Sequence, residues 1–214
     1  MRSQIPIFFK RQWIHAFFLV FLMAGLIFVT GIEGMHVGSF FSLSTTIWFW
    51  SAVIVAILHQ VYVLICWRLQ LHGSWLSRLL GDFAFKVYAT GFAILGISRV
   101  LLVVLLALSN RGSLVGDQMI YRMLALIAIL PALYLFYSVK RFFGFKRALG
   151  IDHFDARYRT MEFVRKGIFR YTRNGMYTYG FLLLWAIAFW YGSMAALCAA
   201  AFNHMYIWIH YYTT

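Results

Sequence analysis

The hydrophobic residues of this chain are grouped in long, almost uninterrupted runs, and not in the alternating or short amphipathic patterns of a soluble domain. A run of about eighteen or more apolar residues is long enough for a helix to cross the hydrocarbon core of a bilayer. The pattern predicts four such helices, with Pro131 expected to kink the last of them. They cover Trp13–Thr30, Thr46–Trp67, Phe83–Leu108 and Met119–Val139.

The chain changes character after the fourth run. Residues 140–173 carry ten lysines and arginines against three acidic residues, a composition that no bilayer interior accepts. Residues 176–212 are apolar again, and the turn residues Tyr191, Gly192 and Ser193 divide them into a helical hairpin. We therefore predict an all-α, polytopic transmembrane helical bundle, with four spans, a basic segment and a carboxyl-terminal helical hairpin in a single transmembrane domain over residues 1–214.

Composition supports this prediction and limits the partners. The chain is 63% hydrophobic and only 12% charged, with a mean hydropathy of +0.78, which excludes a water-soluble globule. A net charge of +13 would by itself suit a nucleic-acid binder, but such proteins do not carry repeated membrane-length apolar runs. The positive charge is better explained by anionic headgroups of membrane lipids, and no nucleic-acid partner is expected.

The distribution of the positive charge predicts an orientation. Basic residues concentrate before the first run, in the connection 68–82 and in residues 140–173, whereas the other connections offer Arg111 and little else. Because basic connections stay on the cytoplasmic side, both termini are predicted to be cytoplasmic. A bacterial inner membrane and an endoplasmic reticulum membrane fit this pattern equally.

Common catalytic and cofactor motifs are absent from the sequence. Cys66 and Cys198 lie inside apolar runs without a second cysteine nearby, so we expect buried thiols and no disulfide framework. No HExxH or other ligand cluster appears, and no metal is expected. Neither a GxxxxGK[ST] nor a GxGxxG motif is present for a nucleotide.

A few polar residues interrupt the apolar runs. Arg99 lies midway along the third run, where a cation is costly unless it meets an anion or a water-filled cavity. We expect its partner to be an anionic group of the substrate or backbone carbonyls near Pro131. The alternative is a helix that starts later and brings Arg99 to an interface. His59, His204 and His210 are expected to hydrogen-bond across helices.

The most informative stretch is residues 167–180. It combines glycines that let the backbone approach a ligand closely, arginines at the membrane surface, and tyrosines at the start of the apolar hairpin. An ordinary connection between a loop and a helix would need fewer of these residues.

This stretch resembles the carboxyl-terminal half of the integral-membrane methyltransferases that include isoprenylcysteine carboxyl methyltransferase and the phospholipid N-methyltransferases. Their pattern reads roughly Gly-(aromatic or aliphatic)-x-x-x-Arg-His-Pro-x-Tyr-x-Gly, followed by an apolar hairpin. The resemblance covers residues 140–212, the predicted cofactor-binding half. The matching residues are Gly167, Arg173, Asn174, Gly175, Tyr177 and Gly180.

The chain departs from that pattern in three places. Asn174 stands where the family usually has His, and Gly175 where it has Pro. The family also usually has a pair of acidic residues beyond the hairpin, whereas here no acid follows Glu162 before Thr214. We expect either that the sequence is truncated or that this half of the site is missing.

The resemblance implies S-adenosylmethionine at the cytoplasmic end of the hairpin and a lipophilic methyl acceptor that enters from the bilayer. Arg173 and Tyr177 would be catalytic. Arg99 lies outside the matching stretch, and its position in the third apolar run suggests that it meets the anionic group of the acceptor. The acceptor is either an isoprenylcysteine carboxylate, which needs no base, or a phospholipid amine, for which His210, His204 or a tyrosine would take a proton. The implied cofactor-binding residues are Gly167, Arg173, Asn174, Gly175, Met176, Tyr177, Gly180 and His204.

Two other functions also fit the sequence. One is an NADPH-dependent membrane reductase similar to the steroid reductases, whose carboxyl-terminal region carries a related Arg-x-Pro-x-Tyr segment. The other is a non-catalytic membrane scaffold, in which Asn174, Gly175 and the missing acids reflect lost catalysis.

Overall fold

A computed structural model describes residues 9–213 as a bundle of helices with one very short strand pair. Arg2, one of the basic residues before the first apolar run, and Thr214 lie outside the described residues. In chain order the elements are α1 (Gln12–Val29), β1 (Ser39–Phe40), β2 (Leu43–Ser44), α2 (Thr45–Gly73), α3 (Trp75–Leu80), α4 (Ala84–Ser109), α5 (Gln118–Ser138), α6 (Phe145–Ala148), α7 (Ala156–Arg159), α8 (Gly175–Tyr179), α9 (Leu182–Tyr191) and α10 (Met194–Thr213). Strands β1 and β2 pair antiparallel. Short 3₁₀ turns cover Gly81–Phe83, Ile151–His153 and Gly167–Arg170, and a π turn covers Val139–Phe143.

The predicted architecture is confirmed. Four helical stretches in the described part of the chain are long and apolar enough to cross a membrane, namely Gln12–Val29, Thr45–Gly73, Trp75–Ser109 and Gln118–Phe143. Helix α2 continues to Gly73, beyond the predicted end at Trp67, and α5 continues through Pro131. The hairpin turns at Gly192, whose φ of 58° is a left-handed conformation that suits glycine.

Helix α10 is the centre of the bundle. It packs against α1, α2, α4 and α9, and its first half presents alanines that are fully buried. Small side chains let membrane helices approach closely, so packing contacts hold this half together. The buried alanines are Ala195, Ala196, Ala199 and Ala200.

The two ends of the bundle differ. Residues 140–173 and the connection 74–83 lie at one end, which we call the basic end. Residues 140–173 are anchored there by a small cluster in which Leu135 and Val139, at the end of α5, pack against Ile168 and Phe169. The well-packed core lies toward the other end, which leaves room for cavities at the basic end.

Candidate functional site

A largely apolar cavity of about 270 Å³ extends from the basic end toward the middle of the bundle. We call it the inner cavity. Phe92 of α4 lies on one side of it and Leu135 and Phe136 of α5 on the other. Helices α4 and α5 barely touch, and α9 packs against both of them. Because Phe136 and Phe145 line the cavity and are also 45% and 56% exposed, the cavity opens on the side of the bundle, where lipid would lie.

Arg99 lines the inner cavity and is only 6% exposed. Its Nε and Nη2 atoms donate to Oδ1 of Asn203 at 2.9 and 2.6 Å, and its guanidinium carbon lies 5.0 Å from the centre of the Phe181 ring. No acidic residue belongs to α1, α2, α4, α5, α9 or α10, and no carboxylate in residues 9–213 forms a salt bridge with Arg99. The guanidinium charge is therefore buried against neutral partners.

His59 is the second polar group of this cavity. Its Nδ1 lies 3.3 Å from Nη1 of Arg99, and the side chain is 5% exposed. Since arginine can only donate, Nδ1 must accept, and in the neutral ring Nε2 then carries the hydrogen. Nε2 is buried and has no hydrogen-bond partner in the described part of the chain. His59 thus presents an unused donor.

A second cavity, of about 340 Å³, lies under the basic segment, and we call it the outer cavity. Its lining combines charged groups with aromatic faces, which include Phe143, Tyr158 and Phe163. Asp152 lies beside His153, and the hydrogen bond from His153 lowers the pKa of the Asp152 carboxyl. The charged lining residues are Arg147, Asp152 and Arg159, and His153 lies beside them.

The arginines of the outer cavity hold the segment in place. Nε of Arg159 donates to the Asp152 carbonyl at 2.7 Å, and Nη2 of Arg159 donates to the His153 carbonyl at 2.9 Å. Arg147 donates to the Glu162 carbonyl at 3.2 Å. These hydrogen bonds hold the first and last parts of residues 145–163 together at the basic end.

The two cavities have four lining residues in common: Trp67, Ala148, Met176 and Tyr177. We call these residues the shared wall. The Trp67 ring stacks on His153 with 4.1 Å between the ring centres, and its Nε1 donates to the Tyr88 hydroxyl at 2.8 Å. Gly150 has a φ of 82°, and a side chain there would press on Trp67. Two bound molecules could therefore meet at this wall, one from each cavity.

Five of the sequence-predicted site residues reach these cavities. Met176 and Tyr177 belong to the shared wall, and Gly180, Arg99 and the candidate base His210 line the inner cavity. The Tyr177 ring packs against the ring of Tyr211 in α10, with 5.0 Å between the ring centres. Residues from two predicted groups, the motif and the third span, are thus brought to one cavity.

The other predicted residues lie outside both linings. Gly167, with a φ of 59°, lets its backbone pass close to Ser138, whose hydroxyl accepts from the Ile168 N–H at 3.0 Å. Gly175 is buried at the start of α8, and the carbonyl of Asn174 accepts from the N–H groups of Tyr177 and Thr178. These three residues therefore shape the turn that leads into α8.

Arg173 and His204 also lie outside the two linings. Arg173 is exposed, and its guanidinium carbon lies 6.0 Å from the ring centre of Phe163, a residue of the outer cavity. Nδ1 of His204 accepts from the indole Nε1 of Trp185 at 3.1 Å, and its ring stacks on Phe181 at 5.6 Å. His204 therefore contacts Phe181, a lining residue of the inner cavity, without lining the cavity itself.

The sequence did not point to Trp67, Asn203 or Asp152. Trp67 is one of many aromatic residues in the chain, and Asn203 is one polar residue in the hairpin. Asp152 could have been noticed, because it is one of only three acids in a strongly basic segment. Within residues 9–213 no group of three or more His, Cys, Asp or Glu residues is placed to hold a metal ion.

Comparison with known proteins matches part of the chain to a family. Residues 120–213 match the phospholipid methyltransferase family, a range that begins in α5 and includes the basic segment and the hairpin. No curated protein and no solved structure matches the chain. Over residues 120–213 the chain is therefore similar to an integral-membrane methyltransferase family, the phospholipid methyltransferases, which confirms the resemblance found in the sequence.

Proposed function

We propose that the protein is an S-adenosylmethionine-dependent methyltransferase that acts on a membrane lipid. The observation that carries the proposal is the shared wall, where a cavity lined by charged and aromatic residues at the basic end meets an apolar cavity that reaches the side of the bundle. Methyl transfer needs two substrates of these two kinds in contact. The family match to phospholipid methyltransferases supports the same reaction type.

The outer cavity fits the cofactor by its chemistry. S-adenosylmethionine carries an amino group, a carboxylate, a sulfonium and an aromatic base. Asp152 offers a carboxylate for the amino group, Arg147 offers a guanidinium for the carboxylate, and Phe143 and Phe163 offer aromatic faces. We assign to Asp152, which precedes the hairpin, the cofactor-binding role that the family gives to an acidic pair after the hairpin.

The motif residues act at the boundary between the cavities. Met176 and Tyr177 contact both substrates, while Gly167, Asn174 and Gly175 fix the turn that presents them. Gly180 gives the acceptor room, His204 positions Phe181, and Arg173 adds positive charge beside Phe163. Residues 140–212 thus form most of the cofactor-binding half, and Trp67 from α2 completes it.

The chemistry needs alignment more than a catalytic triad. When bound, S-adenosylmethionine supplies an electrophilic methyl carbon. The shared wall aligns the acceptor with that carbon and keeps water out. An amine acceptor must first lose a proton, and His210, which lines the inner cavity beside Trp67 with 6.0 Å between the ring centres, is placed to accept it at a ring nitrogen.

We assign the basic end to the cytoplasmic side of the membrane, because basic residues are retained there. Both termini then face the cytoplasm, where the cofactor is made. The inner cavity opens within the cytoplasmic half of the bilayer.

The direct test is transfer of a labelled methyl group. Membranes that contain the protein are incubated with S-adenosylmethionine labelled in its methyl group, and the lipids are extracted into organic solvent. We expect label in the lipid fraction, suppressed by excess S-adenosylhomocysteine. Label that stays in the aqueous phase, as it does with membranes lacking the protein, would refute the proposed reaction.

Replacement of Asp152 by Asn should weaken S-adenosylhomocysteine binding about fivefold to tenfold. The change removes one charge-assisted hydrogen bond, and its effect is moderated because the Asp152 side chain is 46% exposed. Calorimetric titration measures the change. Asp155→Asn is the matched control, because Asp155 pairs with Arg157 and lies outside the outer cavity. Equal affinity in the wild type and both variants would contradict the role of Asp152.

A further inference from the structure

The charge on Arg99 requires an explanation that the proposed methyl transfer does not supply. A buried cation is strongly destabilising unless an anion or a dense set of acceptors compensates it. Arg99 uses three of its five N–H groups, two on Asn203 and one on His59. The remaining N–H groups belong to a side chain that lines the inner cavity.

The unused donor of His59 adds a second, independent observation. The ring lines the same cavity, and its buried Nε2 lacks a hydrogen-bond partner in the described part of the chain. A buried donor without an acceptor costs free energy, so two such groups at one cavity indicate that an acceptor-rich ligand binds there. The group that satisfies both donors and the charge is an oxyanion.

The positions of residues along α2 and α10 show how deep Arg99 and His59 lie in the bundle. Asn203 precedes His210 by seven residues of α10, and His59 precedes Trp67 by eight residues of α2. At a rise of about 1.5 Å per residue, Asn203 lies about 10 Å from His210 along α10, and His59 lies about 12 Å along α2 from Trp67 of the shared wall. Arg99, which contacts both Asn203 and His59, therefore lies deeper in the bundle than Trp67. An anion bound there is separate from the atom that receives the methyl group.

We infer that Arg99 and His59 form an anion-binding subsite for the acidic group of the methyl acceptor. The acceptor then carries its oxyanion on the tail side of its nucleophilic atom, as in a lipid whose amine is joined to its tails through a phosphodiester. A carboxylate that is itself methylated cannot occupy both the shared wall and this subsite. The inference rests on the proposed function for the identity of the ligand as the methyl acceptor.

The test is lipid binding, which needs neither cofactor nor turnover. The protein in dodecyl maltoside is titrated with dioleoyl phosphatidylethanolamine and with dioleoylglycerol, which has the same tails and no phosphate, and native mass spectrometry measures bound lipid. We expect the wild type to prefer the phospholipid about tenfold, the effect of one charge-assisted contact. Arg99→Gln should lose this preference, and Arg99→Lys should keep part of it.

Controls separate the possible outcomes. Arg122→Gln should leave the preference unchanged, because Arg122 lies at the far end beside Trp190 and outside the inner cavity. Thermal unfolding midpoints establish that each variant is folded. Competition by millimolar inorganic phosphate would show that the site binds free phosphate and not a lipid headgroup, and would overturn the assignment.

Three further outcomes decide between the subsite and the proposed function. Equal preference in the wild type and Arg99→Gln would refute the subsite, as would dependence on Arg99 for an S-prenylated cysteine but not for the phospholipid. Retained preference for phospholipid in a protein that binds no S-adenosylhomocysteine would instead refute the proposed function and leave the subsite standing.

Discussion

Substitution of Tyr177 by Ala is expected to lower methyl transfer into lipid by roughly 100-fold, the scale of loss when two bound substrates are misaligned. Tyr177 belongs to the shared wall, and its ring is supported by Trp208 and Tyr211 of α10. Removing the ring joins the two cavities and admits water. The measurement is incorporation of label from S-adenosylmethionine into extracted lipid.

Two variants make this result specific. Tyr177→Phe keeps the ring and should retain most activity, whereas a loss equal to that of Tyr177→Ala would indicate that the hydroxyl itself takes part in the reaction. Tyr171→Ala is the matched control, because Tyr171 is 75% exposed and lies outside both cavities. If Tyr177→Ala and Tyr171→Ala were equally active, the shared wall would not be the place of methyl transfer.

The second large effect concerns stability. Asn110 is 2% exposed and joins the connections at the end of the bundle opposite to the basic end. Its Nδ2 donates to the carbonyls of Gly34 and Val37, both at 2.8 Å. Its Oδ1 accepts from the Ser193 hydroxyl and from the Ala195 N–H, where α10 begins.

We expect Asn110→Ala to lower the free energy of unfolding by about 3 to 5 kcal/mol, because several buried polar groups lose their partner at once. The apparent unfolding midpoint in detergent should fall by roughly 10 °C. Asn174→Ala makes the same chemical change at a half-buried position whose side chain forms no cap hydrogen bond, and it should shift the midpoint little. Similar midpoints for the two variants would show that Asn110 does not hold α10 in place.

The sequence was sufficient to predict the spanning helices. Apolar runs of membrane length leave few alternatives, since unpaired backbone groups are costly in lipid. The hairpin was predictable because Gly192 interrupts a run too long for one helix. The end of α2 was missed because polar residues such as Arg68 and Gln70 look like a loop, although Arg68 is buried and donates to the Thr213 carbonyl at 2.8 Å.

The site was only partly predictable, for a physical reason. Motif spacing brings Met176, Tyr177 and Gly180 together, because these residues are neighbours along one short stretch of chain. The partners of Arg99 depend on which faces of α2, α4 and α10 meet, and apolar runs without a polar face do not specify this. Asn203 and His59 could therefore be identified as partners of Arg99 only after the helices were packed.

The measurement that most directly tests the proposed function is calorimetric titration of the detergent-solubilised protein with S-adenosylhomocysteine, with NADPH titrated in parallel. We expect saturable binding of S-adenosylhomocysteine that is weakened in Asp152→Asn, and no binding of NADPH. Binding of NADPH alone would favour the membrane reductases, and binding of neither ligand would favour a non-catalytic scaffold; either result would contradict the methyltransferase proposal.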